Sequence, residues 1–138
     1  MKLNEYFDNA RGIGVLATSD DRGKVNAAVY SRPHFLGGND REVAFIMNDR
    51  LSHDNLQSNP QAAYLFVEES KGYVGKRLLL TKIREETDPG KIRATRRRQR
   101  PSEWEDPGAE KKFLVYFQVE ATRPLVGAGR EPVASASG

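Results

Sequence analysis

The sequence contains no cysteine, which excludes disulfides, thiolate nucleophiles and thiolate metal sites. Histidine is almost as scarce: His34 and His53 are the only two in 138 residues. That is too few for a histidine-rich centre, and no metal site is expected. No apolar run approaches the ~20 residues that a membrane-crossing helix needs. The opening Met1-Lys2-Leu3-Asn4-Glu5 has no signal-peptide core, so a cytoplasmic protein without membrane contact is expected. No Gly-x-Gly-x-x-Gly follows a strand pattern, which leaves a Rossmann nucleotide site unsupported.

A large charge imbalance is also lacking, since 22 basic against 19 acidic residues give a net charge of +3. The excess is gathered in residues 91–100, where Lys91, Arg93, Arg96, Arg97, Arg98 and Arg100 have no acid among them. Glu85, Glu86 and Asp88 precede this block and Glu103, Glu105 and Asp106 follow it, close enough to balance it over a Debye length of ~8 Å if the flanks fold nearby. A nucleic-acid reading would set Arg93, Arg96, Arg97 and Arg100 on phosphates. Only Trp104 lies near enough to supply a stacking ring, however. A solvated helix paired with Glu85, Glu86 and Glu103 explains the block more simply, and nucleic acid is not an expected partner.

What is present is a succession of strand patterns. Leu3, Tyr6, Phe7 and Ala10 fall at helical spacing and predict a short amphipathic helix ending near Gly12. Strands are predicted over 13–18, 24–31, 41–47, 62–67, 73–85 and 113–120. Gly14, inside the first, marks a close approach of backbone or ligand. In the second, Val25, Ala27 and Val29 face one way and Asn26, Ala28 and Tyr30 the other. The latter face is small and mixed, suited to a ligand or another sheet. Pro89 opens a helix reaching Arg100, which only Ile92 and Ala94 could anchor. Six strands, mostly joined by hairpins and without crossover helices among the first three, predict a mainly β, all-β or α+β, closed barrel. It would occupy residues 1–125 as one domain, with 126–138 as a flexible tail.

One short helix falls between strands three and four, in Met47-Asn48-Asp49-Arg50-Leu51-Ser52-His53-Asp54-Asn55-Leu56-Gln57-Ser58-Asn59-Pro60. Ser52 is a good N-cap, and Pro60 stops the helix at or before Asn59. The helix start exposes backbone N–H groups beside Arg50, Ser52 and His53, a set able to seat a phosphate. The plainer alternative is a strand–helix–strand connection with a capping serine. His53 reads either as a phosphate donor or as a surface imidazole at the helix start. His34, next to Pro33, reads as a structural strand-end residue.

The order of Val25-Asn26-Ala27-Ala28-Val29-Tyr30, a hairpin, Ala44-Phe45-Ile46-Met47 and then Leu51 to Pro60 resembles the pyridoxamine 5′-phosphate oxidase-related family over residues 3–125. Asn-Leu-x-x-Asn-Pro at 55–60 is its most specific piece. Members of that family are FMN-binding split β-barrels. The resemblance implies a six-stranded antiparallel split barrel and a homodimer holding two FMN molecules at the subunit interface. It implies that Arg50, Leu51, Ser52 and His53 surround the phosphate, that Met47 and Asn48 line the approach to the ribityl chain or ring, and that Ala28, Tyr30 and Arg32 run along the isoalloxazine. The implied function is an FMN-dependent oxidoreductase acting on a small molecule or electron donor. The alternative is a barrel that binds flavin, deazaflavin or haem without turnover.

Two departures qualify the resemblance. Family members often carry a lysine near position 52, where this chain has Ser52, so phosphate neutralisation would lean on Arg50 and on Arg32 or His53. The C-terminal Arg-x-His pattern of the vitamin B6 oxidases is absent, because no histidine follows His53. Pyridoxamine phosphate oxidation is therefore not expected, and no residue is required to act as a general base.

Overall fold

A computed structural model describes residues 2–97 and 111–127. The chain runs α1 (Leu3–Asn9), β1 (Gly12–Ser19), β2 (Val25–Tyr30), β3 (Glu42–Asn48), α2 (Leu51–Ser58), β4 (Gln61–Glu68), β5 (Gly75–Glu86), α3 (Pro89–Arg97) and β6 (Lys112–Pro124). The six strands form one antiparallel sheet in the order β2-β1-β4-β5-β6-β3. The sheet curls into a half-barrel, the architecture of a split barrel. The predicted strands are all present near their predicted ends, apart from β6, which continues to Pro124. Register shifts between β5 and β6 at Leu79/Leu80 and Lys82/Arg84 are the irregularities that let two long strands bend.

The barrel interior is filled from alternate positions of the strands. Leu16, Val43, Phe45, Met47, Tyr64, Phe66, Leu78, Phe113, Val115 and Phe117 meet Phe7 of α1 and Leu56 of α2 in one cluster. Alternation along β6 predicts a half-buried strand, yet Phe113 to Phe117 are buried without a break. The reason is α3. It covers the outer face of β3 and β6, where Ala44, Leu114 and Tyr116 pack on Ile92 in a second cluster. Ile92 anchors that helix as expected, but Ala94 is exposed and Thr95 is the other buried contact. Lys91 of α3 pairs with Glu86 at 3.1 Å, whereas Glu85 is engaged by Lys82 and His53 instead.

Residues 98–100 and Glu103 lie outside the described residues, as does the expected tail from 128 onward. No helix among the described residues is long and apolar enough to cross a membrane.

The two ends of the sheet, β2 and β3, almost meet. His34, just past β2, makes a single antiparallel bridge to Ala44 of β3, with N···O distances of 2.9 and 2.8 Å. Elsewhere the two strands stand apart, and this opening positions the site described next. Gly14 does mark a close approach, as the sequence suggests: a Cβ there would come within 2.0 Å of the Tyr64 hydroxyl. That hydroxyl donates to the Ser31 carbonyl at 2.9 Å.

Candidate functional site

The opening between β2 and β3 is a groove of about 430 Å³, within the ~300–1,000 Å³ of small-molecule sites. Asn26, Ala28 and Tyr30 of β2 form one wall, Ile46 and Asn48 of β3 the other, and Arg50, Leu51 and Ser52 close one end. These positions follow from local rules. The period-two alternation of β2 turns its small, mixed face inward. The chain leaves β3 at Asn48 and enters α2 at once, so the helix start abuts the groove.

α2 begins earlier than a Ser52 cap allows. Arg50 is the N-cap residue, in extended conformation and without a side-chain cap, and Ser52 stands within the first turn. The Ser52 hydroxyl is taken instead by tertiary partners. It is buried, accepts a hydrogen bond from Asn26 Nδ2 at 3.2 Å and lies beside the Tyr30 phenol, whose pKa burial raises against the opposing pull of Ser52 and Arg50. With no side chain capping it, the first turn keeps backbone donors for a ligand. Pro60 ends the helix as predicted, with Asn59 as C-cap. Asn48 is steadied from the neighbouring strand, its Oδ1 accepting from Lys112 Nζ at 2.6 Å.

Six of the predicted site residues thus line one groove: Ala28, Tyr30, Asn48, Arg50, Leu51 and Ser52. Three do not. The Met47 side chain is fully buried in the barrel interior, because it alternates with the two groove-facing residues beside it. Arg32 stands in an adjoining cavity of about 660 Å³, where its guanidinium donates to the carbonyls of Phe7 and Ala10, each at 2.8 Å. It ties down the end of α1 rather than serving the helix start of α2.

His53 is not a surface imidazole, and it does not line the groove. It is buried, stacked on Phe113 with ring centroids 3.8 Å apart, and its Nε2 faces Glu85 at 3.0 Å. Burial pushes the Glu85 carboxyl up, but Lys82, His53 and Gln57 outweigh it and hold the pKa at about 2. His34 is a buried strand-end residue, as its position beside Pro33 suggests.

Sequence reasoning missed Ile46, although the signal was available: it shares a face with Asn48 by strand alternation, and Met47 cannot. The pairing of Asn48 with Lys112 left no trace, since the two are 64 residues apart.

No protein-family model matches the sequence, and no curated protein is similar to it. Solved structures do match. An FMN-binding protein from Syntrophomonas wolfei subsp. wolfei superposes with a TM-score of 0.69 at 17% identity, covering 91% of this chain and 84% of the other. A protein of the pyridoxinephosphate oxidase family from Clostridium acetobutylicum gives 0.60 at 17%, covering 88% and 83%. This chain has the fold of the pyridoxamine 5′-phosphate oxidase-like split barrels. An F420 reductase of the same split-barrel fold matches with a TM-score of 0.65 at 16% identity, covering 86% of this chain and 94% of the other.

Proposed function

We propose that this split barrel binds FMN in the groove between β2 and β3 and is an FMN-dependent oxidoreductase acting on a small molecule. The observation that carries the reading is the convergence of Ala28, Tyr30, Asn48, Arg50, Leu51 and Ser52 on one groove beside an uncapped helix start. The donor set suits a phosphate. Arg50 brings a fixed positive charge, and the first-turn amides bring neutral donors. Ala28 leaves clearance for a flat ring, Tyr30 and Ile46 give it apolar contact, and Asn26 and Asn48 offer hydrogen bonds to a polyol chain. When bound, the flavin supplies the redox chemistry, and the protein's part is to hold the ring and exclude water. Pyridoxamine phosphate oxidation forms no part of the proposal, since no histidine follows His53.

The working unit we propose is a homodimer. Ile13 on β1 and Val25 and Val29 on β2 are 62%, 76% and 76% exposed. They make an apolar surface on the edge of the sheet next to the groove, of the kind that a second copy covers. Size-exclusion chromatography with light scattering should return twice the chain mass.

The visible spectrum of the purified protein, with mass analysis of any released chromophore, tests the cofactor. A flavin spectrum and the mass of FMN are expected. A Soret band or the mass of F420 would replace FMN with haem or a deazaflavin. A colourless protein that takes up no added FMN would end the reading. Arg50→Ala combined with Ser52→Ala should lower FMN occupancy at least tenfold while the chain stays folded by circular dichroism. Unchanged occupancy would show that the phosphate is seated elsewhere. Reduction of the bound flavin by a nicotinamide cofactor, followed by turnover of an acceptor, would separate an enzyme from a carrier.

A further inference from the structure

His53 has one ring nitrogen accounted for and one that is not. Nε2 faces the Glu85 carboxylate at 3.0 Å. Nδ1 is buried and has no hydrogen-bond partner, although its side chain is only 8% exposed. It faces the Asp49 carboxylate at 3.8 Å, beyond hydrogen-bond reach. Asp54 adds a second carboxylate from the next position along the helix. One ligand atom from each of Asp49, His53 and Asp54 lies within 4.8 Å of the other two. Among the described residues, no other side chain pairs with either carboxylate.

We infer that Asp49, His53 and Asp54 form a binding site for one divalent transition-metal ion of the zinc type. An imidazole with two carboxylates is a ligand set that such ions accept, with water completing the coordination. The ring is already prepared for the task. Stacking on Phe113 fixes its plane, and Glu85, by accepting the Nε2 proton, leaves the lone pair on Nδ1. A carboxylate behind the histidine is the usual support for a metal-bound imidazole. Two ligands on one zinc ion stand roughly 3.4 Å apart, given bonds of ~2.0–2.1 Å. The 3.8 Å between Nδ1 and Asp49 closes to that value by a small rotation of Asp49, which is 53% exposed. None of the three ligands lines the groove between β2 and β3, so the site stands whether or not the flavin reading does.

The test is isothermal titration calorimetry of the untagged full chain, stripped with a chelator, against ZnCl₂ and separately against MgCl₂. One Zn²⁺ per chain and no heat with Mg²⁺ are expected. Asp49→Asn with Asp54→Asn changes only exposed groups and should weaken Zn²⁺ binding at least tenfold without altering the fold. In a ¹⁵N spectrum of the histidine rings, Zn²⁺ should shift Nδ1 of His53 and leave His34 unmoved. Glu85→Gln, which keeps every ligand, should weaken binding less than the double variant does. The site is refuted if Zn²⁺ does not bind, if Mg²⁺ binds equally, or if the double variant binds Zn²⁺ as well as the parent. It is also refuted if both nitrogens of His53 carry protons that Zn²⁺ leaves in place, which would make the ring an imidazolium held between Asp49 and Glu85.

Discussion

The seam between β2 and β3 is sealed at one end and open at the other. At His34 and Ala44 the two edges exchange both backbone hydrogen bonds, whereas at Tyr30, Ile46 and Asn48 they diverge around a groove. β3 and the chain that continues β2 produce both results, so adjacency of the two edges alone does not decide where a cavity forms. Side chains and the neighbouring helix do. At the sealed end His34 and Ala44 are both buried. At the open end Ala28 offers little bulk, and the start of α2 is wedged beside the gap. The comparison teaches that the closed and open ends of one seam are built differently, so stability and the proposed binding should be separable by mutation.

The largest effect should come from the barrel interior. Phe45 is fully buried and packs against Tyr30, Tyr64 and Phe117, with ring centroids 6.0, 5.0 and 5.9 Å away. Phe45→Ala should cost about 3–5 kcal/mol of unfolding free energy, measured by urea denaturation. A loss below 1 kcal/mol would mean that this layer is not well packed.

A smaller effect should appear in acid. Glu85 braces α2 through His53, and its pKa near 2 lies below the ordinary 4.5. A carboxyl depressed in the folded state stabilises fully above its unfolded value, and that contribution fades as pH falls toward the folded one. The melting temperature should therefore decline between about pH 4.5 and 2, and Glu85→Gln should flatten that decline. The pair is partly exposed, so the change should be modest. Scans with a chelator present keep any metal out of the comparison.

The smallest change in stability should accompany a large change in binding. Ala28→Phe projects into the groove and leaves the core untouched, so unfolding free energy should stay within about 0.5 kcal/mol. FMN uptake, followed by fluorescence quenching, should be lost. A variant that is destabilised yet still takes up FMN would erase the distinction between the two ends.

Much of this could be read from the chain itself. Alternation in β2 and β3, the turn chemistry and the Pro60 stop are local signals, and the strands and the end of α2 stand where those signals put them. The groove was readable as far as strand period allows, which is why Ala28, Tyr30 and Asn48 share it. The failures have one physical source. Arg32 and His53 were placed at the groove, and Ser52 was read as a cap, by position along the chain, but their partners are Phe7, Glu85 and Asn26, set by contacts far apart in sequence. Burial of both faces of β6 was equally hidden, because it depends on α3 lying across β3 and β6. Counting histidines argued against a metal centre, but a count says nothing about which ring nitrogen is left without a partner.

Tyr64 crosses the space where a side chain at position 14 would be and grips the Ser31 carbonyl beyond it. Those three residues are therefore geometrically coupled. While the tyrosine remains, drift at position 14 is confined to glycine. A descendant that gains any larger residue there must first, or at the same time, give up the phenol, and with it the tie between the barrel interior and the rim of the groove. Change at the rim of the groove is therefore constrained from the barrel interior, at Tyr64, a residue with no exposed surface.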